Sequence, residues 1–239
     1  MTAIAQLHDI SVAFRGKTVL QDVSGSFEKG SLTAIVGSNG AGKSTLLKAM
    51  MGMVPLASGR VQLNVERKRI AYLAQQSSIE RTFPLSVLDC VTLGFWPASR
   101  LWRRVGAPRI EAAYAALDAV GLAALADRPV GELSAGQFQR MLFVRVQLQD
   151  ADFILLDEPF NAVDARTTAD LLDIVAGWHA EGRTVAAVLH DHNQVRRCFP
   201  QTLLLARAPV AWGPTDQVLC EENLWRVGQL TDVWDAQAA

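Results

Sequence analysis

The sequence of 239 residues predicts an α/β fold with one core that is interrupted by a helical insert. Short, continuous apolar runs such as SLTAIV and FILLD have the length and composition of buried strands. Segments with helical spacing follow these runs, and from about residue 85 to 149 the pattern is helical throughout. We therefore expect a single domain over residues 1–239, with the helical insert at about 85–149.

The N-terminal part of the chain predicts strands around a glycine-rich loop. Its first two segments, AQLHDISVAF and TVLQDVSGSF, alternate apolar and polar residues as half-buried strands do. The run SLTAIV then leads into the glycines, and KSTLLKAMMGM follows with helical spacing. Two more strands are predicted at GRVQLN and RIAYLAQ.

The C-terminal part predicts alternating helices and strands. Within the insert, PRIEAAYAALDAVGLAALAD is the clearest amphipathic segment. Buried strands are predicted at DFILLDEP and TVAAVLHD, with the helical segment ARTTADLLDIVAGWHAEG between them. The tail adds the segments TLLLAR and PVAWG and a short terminal helix.

Composition excludes several classes of protein. No apolar run reaches the roughly 18 residues of a membrane span, and the N-terminus lacks the pattern of a signal peptide, so we expect a soluble chain. Cys90, Cys198 and Cys220 are odd in number and far apart, which fits a reducing cytosol better than a disulfide framework or a zinc knuckle. The net charge of −1 argues against a broad nucleic-acid surface, and no nucleic-acid partner is expected.

The segment GSNGAGKST predicts a phosphate-binding loop. Its glycines, Lys43 and Ser44 match the pattern G-x-x-x-x-G-K-[ST], with a predicted strand before it and a helix after it. Backbone N–H groups and the helix N-terminus would hold the phosphates, Lys43 would reach the β- and γ-phosphates, and Ser44 would bind Mg²⁺. The alternative is an ordinary glycine turn before a helix, which the flanking elements disfavour. The predicted nucleotide-binding residues of this loop are Gly37, Ser38, Asn39, Gly40, Ala41, Gly42, Lys43, Ser44 and Thr45.

A second candidate site lies at the end of the predicted strand FILLD. Asp157 and Glu158 follow directly after four apolar residues. Such a pair alone is more often a solvated strand end, but beside a phosphate loop it suits phosphoryl transfer. We expect Asp157 to hold the Mg²⁺ shell through water and Glu158 to polarise the water that attacks the γ-phosphate.

The chain resembles the ATP-binding subunits of ABC transporters over nearly its whole length. GSNGAGKST looks like their Walker A motif, LSAGQFQR like their signature motif and FILLDEP like their Walker B motif. AYLAQQ resembles the Q-loop, NAVDART the D-loop and VLHDH the switch-histidine region, and the six motifs stand in the family's order. The resemblance implies an α/β fold with a P-loop NTPase (ABC ATPase) core, an antiparallel β subdomain and an inserted helical subdomain. It also implies ATP and Mg²⁺ as cofactors, and ATP hydrolysis.

The resemblance also implies roles for single residues. Gln75 would bind Mg²⁺ and sense the attacking water, His190 would contact the γ-phosphate, and Asp164 would couple two sites across a dimer. Phe14, in VAFRGKTVL, matches the aromatic residue that stacks on adenine. The alternative for Phe14 is a core residue at the end of a strand.

The signature segment implies a dimer. Ser134 and Gly136 stand where a helix begins, which makes a second anion site, and Gln137 belongs to the same segment. In the family, the signature of one subunit covers the ATP of the other, so a head-to-tail homodimer with two enclosed nucleotides is implied. Ala135 replaces the more usual glycine, and its methyl group is expected to slow turnover slightly without abolishing it.

The pair His190 and His192 admits a zinc-site interpretation. No cysteine lies beside the pair, and the other histidines, His8 and His179, fall in other predicted elements. A structural metal site is therefore not expected.

The segment after the Q-loop resembles importers of zinc, manganese and related divalent ions. The resemblance rests on the segments IAYLAQQSSIERTFPLSVLDCVTLGFW, VGELSAGQFQR and PFNAVDART and on the tail WGPTDQVLCEENL. In the family this region receives a membrane permease, so its large apolar residues are either helical core or permease-facing: Phe83, Leu85, Trp96 and Trp102.

The resemblance thus implies an importer subunit at the cytoplasmic face of the inner (plasma) membrane, with zinc preferred as cargo over manganese or iron. Its implied partners are a second copy, integral membrane permease subunits and, indirectly, a metal-binding extracytoplasmic solute-binding protein. A soluble ABC-type ATPase of DNA repair, translation or iron–sulfur assembly is the main alternative. A P-loop kinase or GTPase is disfavoured by LSAGQ and the Q-loop.

Overall fold

The computed structural model describes residues 2–75, 84–95 and 106–236, with side chains described as far as Leu230. Its smaller sheet is antiparallel, with three strands in the order β2-β1-β4. These strands are β1 (Ala3–Phe14), β2 (Lys17–Glu28) and β4 (Ser58–Leu63). The predicted antiparallel β subdomain is therefore present.

The larger sheet has six strands in the order β5-β6-β7-β3-β8-β9. Five of them are parallel to their neighbours, and only the last is antiparallel. The strands are β3 (Leu32–Val36), β5 (Ile70–Leu73), β6 (Phe153–Asp157), β7 (Thr184–Val188), β8 (Gln201–Ala206) and β9 (Ala208–Pro214). The carboxyl ends of the parallel strands therefore meet at one edge, where α/β proteins bind ligands.

Eight α-helices lie within the described residues. They are α1 (Lys43–Met50), α2 (Val87–Thr92), α3 (Ala107–Ala119), α4 (Ala135–Gln147), α5 (Ala165–Ala180), α6 (His192–Cys198), α7 (Thr215–Val218) and α8 (Glu221–Ala236). Short 3₁₀ turns cover Arg67–Arg69, Leu93–Phe95, Ala123–Leu125 and Val130–Glu132. Within residues 2–75, 84–95 and 106–236, no helix is long and apolar enough to cross a membrane.

Two apolar layers cover opposite faces of the larger sheet. Along β6, Phe153 and Leu155 belong to the layer shared with the small sheet and α1, whereas Ile154 and Leu156 belong to the layer shared with helices α2 to α5. Successive strand residues point to opposite faces, so a strand covered on both sides is apolar at every position. This explains why FILLD, up to its final Asp157, and LTAIV, apart from Thr33, are apolar without alternation, and it confirms the α/β fold class.

The helical segment between β5 and β6 differs in detail from the expectation. The stretch PRIEAAYAALDAVGLAALAD does not form one amphipathic helix, because α3 ends at Ala119 and Gly121 adopts a φ of +71°. A 3₁₀ turn then follows, and α3 buries only Ala113 and Leu117. The terminal helix α8 is also longer than expected, at 16 residues.

Of the four apolar residues in the predicted permease-facing segment, only Leu85 lies within the described residues. It is partly buried and packs against the layer that contains α2 to α5. Its carbonyl accepts a hydrogen bond from the N–H of Val130 over 2.9 Å. Leu85 therefore belongs to the core of the helical region, while Phe83, Trp96 and Trp102 lie outside the described residues.

Candidate nucleotide site

The glycine-rich loop lies between β3 and α1, at the carboxyl edge of the larger sheet. A Cβ atom on Gly37 would lie 2.1 Å from the carbonyl oxygen of Leu205. Gly42 has a φ of +92°, and a Cβ there would lie 2.5 Å from Leu20 Cδ2. Because the loop backbone packs this closely on β8 and β2, only glycine fits at these two positions.

The side chain of Lys43 folds back over this loop. Its Nζ donates to the carbonyl oxygens of Gly37 and Ser38 over 2.8 and 2.9 Å. Burial lowers the pKa of the Lys43 ammonium, and the nearby carboxylates of Glu158 and Asp157 oppose that shift. A partly desolvated cation at a helix N-terminus makes this loop favourable for an anion.

Asp157 is the last residue of β6, and it lies next to the glycine-rich loop. Its Oδ1 accepts a hydrogen bond from Ser44 Oγ over 2.8 Å, and its Oδ2 accepts one from the hydroxyl of Tyr72 over 3.2 Å. The side chain is only 1% exposed, and burial raises the pKa of its carboxyl against the effect of these two donors. A hydroxyl and a carboxylate are hard oxygen ligands, so this pair fits Mg²⁺. Tyr72 was not among the site residues predicted from the sequence.

Glu158 lies at the centre of a cluster of polar side chains. Its Oε1 is 2.7 Å from His190 Nε2, and its Oε2 accepts a hydrogen bond from Gln75 Nε2 over 2.6 Å. Asn161 Nδ2 also donates to Oε2, over 3.3 Å. The structure thus brings Gln75, His190 and Glu158 together, and it adds Asn161, which was not predicted from the sequence. Gln75 directs its amide to Glu158 rather than to Ser44 or Asp157.

The backbone of Glu158 has a φ of +51°, in the left-handed region that residues other than glycine rarely adopt. This turn directly after β6 directs the Glu158 side chain towards Gln75 and His190, while Asp157 stays buried beneath the loop. Strained backbone of this kind is concentrated at functional sites.

The signature segment forms the N-terminus of α4. Ser134 Oγ accepts a hydrogen bond from the Gln137 N–H over 3.2 Å, and Gln137 Oε1 accepts one from the Ser134 N–H over 3.0 Å. This reciprocal arrangement is a capping box, which satisfies two backbone donors at the helix start. A Cβ on Gly136 would lie 3.0 Å from Thr167 Oγ1, so glycine there keeps α4 close to α5.

Asp164 caps the neighbouring helix α5. Its carboxylate accepts hydrogen bonds from the N–H and the hydroxyl of Thr167 over 2.9 and 2.8 Å, and these bonds lower the pKa of the Asp164 carboxyl. Asp164 lines one cavity together with Ser134, Ala135, Gly136, Gln137, Arg140, Ala162, Val163 and Thr167. The glycine loop lines a different cavity with Gln75 and Glu158. The structure therefore separates the signature residues from the loop of the same chain.

Comparison with known proteins identifies the family. The family described as ABC transporter matches residues 20–161, and those residues include the loop, the signature segment and the Asp157–Glu158 pair. The chain belongs to the ABC transporter family. The prediction of an ABC ATPase that binds ATP is thereby confirmed, and a P-loop kinase or GTPase is excluded.

Individual relatives of this ABC ATPase cover almost the whole chain. The manganese transport system ATP-binding protein MntB of Listeria innocua is 40% identical, over 91% of this chain and 93% of its own. The zinc transport system ATP-binding protein TroB of Treponema pallidum is 38% identical, over 98% of this chain and 94% of its own. A solved structure of a metal-chelate type ABC transporter in an inward-facing conformation has a TM-score of 0.84 at 27% identity, over 95% of this chain and 90% of that one.

Phe14 of this ABC ATPase lies at the end of β1 and is 44% exposed. It is therefore not a core residue, which was the alternative that the sequence left open. Its stacking on adenine stays a prediction. Among the side chains that the structure describes, no group of three or more His, Cys, Asp or Glu residues is placed to hold a metal ion, and that part of the chain includes His190 and His192.

Proposed function

We propose that this chain is the ATP-hydrolysing subunit of an importer for a divalent metal ion, either zinc or manganese. The observation that carries the proposal is the similarity to manganese and zinc transport subunits over more than nine-tenths of both chains. The contacts of Glu158 with Gln75 and His190 support it. One of the relatives named above is a manganese transport subunit and the other is a zinc transport subunit, so the preference for zinc over manganese stays a prediction.

The nucleotide is bound, in this proposal, at the glycine loop. Backbone N–H groups of the loop and the Lys43 ammonium bind the phosphates. That ammonium donates to the carbonyl oxygens of Gly37 and Ser38 within the loop, and phosphate oxygens are stronger acceptors for it than neutral carbonyl oxygens. Ser44, Asp157 and Gln75 would hold Mg²⁺, which would supply positive charge to neutralise the phosphates during phosphoryl transfer. The exposed ring of Phe14 stacks on adenine.

Glu158 serves as the general base for the attacking water. Both of its carboxylate oxygens are already in contact, one with His190 and one with Gln75. In this proposal the attacking water replaces His190 at Glu158 Oε1, and Glu158 then accepts a proton from that water. His190 is then free to donate to the γ-phosphate, and Gln75 to orient the water.

The two separate cavities support a homodimer. The loop cavity offers phosphate donors but no signature residues, whereas the signature cavity offers a capped helix N-terminus but no Lys43. A head-to-tail arrangement of two copies places the signature of each on the nucleotide of the other. The further partners in this proposal are integral membrane permease subunits and a metal-binding extracytoplasmic solute-binding protein, with the chain at the cytoplasmic face of the plasma membrane and no nucleic-acid partner.

Metal uptake in a strain that lacks this chain tests the cargo. The deletion strain should grow poorly when zinc or manganese is chelated, and the wild-type chain should restore growth while Glu158→Gln should not. Recovery on added zinc alone assigns zinc, and recovery on added manganese alone assigns manganese. A deletion strain that takes up both ions at the normal rate would contradict the proposed cargo.

Association with a membrane permease distinguishes this proposal from a soluble ABC ATPase. An affinity-tagged chain, extracted from membranes with mild detergent, should co-purify with a protein that has several membrane spans. If the chain is recovered only in the supernatant and without any such partner, the importer proposal is wrong and the soluble ATPase is favoured.

A further inference from the structure

Tyr72 lies beside the proposed magnesium site because of strand register. In the parallel pair β5 and β6, Tyr72 is opposite Leu155. Leu155 and Asp157 are two residues apart, so they share a face of the sheet, and Tyr72 shares that face with them. The Tyr72 hydroxyl consequently meets Asp157 Oδ2 at 3.2 Å.

The Asp157 carboxylate is held at both of its oxygens by hydroxyl groups. Ser44 donates to Oδ1 and Tyr72 donates to Oδ2. One contact alone leaves the carboxylate free to rotate, because the χ2 torsion of aspartate is broad and weakly restricted. Two donors on opposite oxygens fix the plane of the group. They also solvate a carboxylate that is almost completely shielded from water.

We propose that Tyr72 is a positioning residue for Mg²⁺, acting through Asp157. The inference rests on the proposed role of Ser44 and Asp157 at the metal. Tyr72 holds the carboxylate in one orientation, so that Oδ1 stays beside Ser44 Oγ before nucleotide arrives. Groups that orient a metal ligand in this way commonly change metal affinity by about 10- to 100-fold when they are removed.

The ring of Tyr72 is well placed to direct the hydroxyl. It is half-buried and packs against the apolar layer shared by the larger sheet, the small sheet and α1. Phenylalanine keeps this ring and removes only the hydroxyl oxygen, so Tyr72→Phe separates hydrogen bonding from packing. The chain has one other tyrosine, Tyr114, which is exposed on α3 and provides a matched control in Tyr114→Phe.

Nucleotide binding measured as a function of Mg²⁺ tests the inference. A fluorescent ATP analogue is titrated into wild type, Tyr72→Phe, Tyr114→Phe and Asp157→Asn, first with a chelator and then at increasing Mg²⁺. In the chelator, Tyr72→Phe should bind the analogue with the same affinity as wild type. The Mg²⁺ concentration that gives half of the Mg²⁺-dependent increase in affinity should be about tenfold higher for Tyr72→Phe. Tyr114→Phe should match wild type under both conditions. Electron paramagnetic resonance of Mn²⁺ with ADP should show a proportionally weaker ternary complex for Tyr72→Phe.

The outcomes separate this inference from the proposal beneath it. If Asp157→Asn raises the Mg²⁺ requirement while Tyr72→Phe behaves like Tyr114→Phe, the Tyr72 inference is wrong and the magnesium site stands. If Tyr72→Phe lowers the melting temperature without changing the Mg²⁺ requirement, its role is structural and the inference is again wrong. If Asp157→Asn leaves the Mg²⁺ dependence unchanged, the proposed magnesium site itself fails.

Discussion

The Nε2 atom of His190 lies 2.7 Å from Oε1 of Glu158, although the two residues follow different strands. Glu158 follows β6 and His190 follows β7, and these strands are parallel neighbours with Asp157 opposite Val188. The contact therefore results from the order of strands in the sheet. Together with the bond from Gln75, it holds the proposed general base before any nucleotide is bound.

Replacing the proposed base should separate ATP binding from hydrolysis. We expect Glu158→Gln to bind ATP with near-normal affinity and to hydrolyse it at least about 100-fold more slowly, because an amide does not accept the proton from water. ATP should then trap a dimer, detectable by gel filtration. The control is Glu222→Gln, on the exposed first turn of α8. A Glu158→Gln protein that stays monomeric at saturating ATP would contradict the head-to-tail dimer.

Removing the loop cation should abolish nucleotide binding. Lys43→Ala loses charge-assisted hydrogen bonds to phosphate, which contribute about 1.5–3 kcal/mol each, so ATP affinity should fall by about 100-fold or more. Lys48→Ala, one turn further along α1 and exposed, should bind ATP normally. Isothermal titration calorimetry measures the ATP affinity of both variants. Equal affinity in the two variants would rule out the assigned role of Lys43.

Two helix caps of the same kind allow the signature segment to be tested for dimerisation. Ser134 caps α4 and Ser86 caps α2, each within a capping box. Either serine replaced by alanine should lower the free energy of unfolding by about 1 kcal/mol. In the Glu158→Gln background, only Ser134→Ala should also lose the ATP-induced dimer. Loss of the dimer in Ser86→Ala as well would attribute the effect to stability rather than to the signature.

The partial burial of Leu85 predicts a loss of stability on substitution. Leu85→Asp places a charge against the apolar layer of the helical region and should lower the free energy of unfolding by about 2–4 kcal/mol. Leu230 is exposed and provides the matched control Leu230→Asp, which should change the free energy of unfolding by less than about 0.5 kcal/mol. Urea denaturation measures the free energy of unfolding of both variants. Equal, small effects would show that Leu85 is available to a permease after all.

Phe83, Trp96 and Trp102 are the remaining candidates in the docking prediction for the segment after the Q-loop, and all three lie outside the described residues. We expect Phe83→Ala to weaken permease association and to leave ATP binding intact. Loss of an apolar anchor at such an interface commonly costs about 1–4 kcal/mol. Detergent extraction followed by affinity purification measures how much permease remains associated with the variant. Unchanged recovery of the permease would contradict the prediction.

Burial of Asp157 predicts a pH dependence of stability. Burial raises the pKa of its carboxyl in the folded protein, whereas the unfolded chain has a pKa near 3.9. Stability is therefore lost as the pH rises from about 4 through the folded pKa, because an ionised carboxylate must then stay buried. Asp157→Asn should raise the melting temperature of the nucleotide-free protein at about pH 7, with a gain that shrinks towards pH 4.

Differential scanning calorimetry from about pH 4 to 7 measures whether the melting temperature of Asp157→Asn exceeds that of wild type, and whether the difference grows as the pH rises. Asp118→Asn, on the exposed side of α3, is the control and should leave the melting temperature unchanged at every pH. A gain for Asp157→Asn that is equal at all pH values would assign the effect to packing rather than to ionisation.

The sequence by itself determined the local parts of this protein. The glycine loop, the acidic strand end after FILLD and the capped signature helix were each predicted from a short pattern. Such patterns are informative because the conformation they require, such as the close packing of Gly37 against Leu205 or the capping box at Ser134, involves a few adjacent residues. The family resemblance rested on the same segments, and the comparisons confirmed it.

Tertiary structure alone decided which of these parts touch. Periodicity shows which residues share a face of one strand, but it does not show which strand lies beside it or in what register. The contact between Tyr72 and Asp157 depends on β5 lying beside β6. The separation of the signature cavity from the loop cavity, and the inward packing of Leu85, depend in the same way on how distant segments are brought together. Those contacts are set by packing between residues far apart in the chain, and short-range sequence patterns carry little information about it.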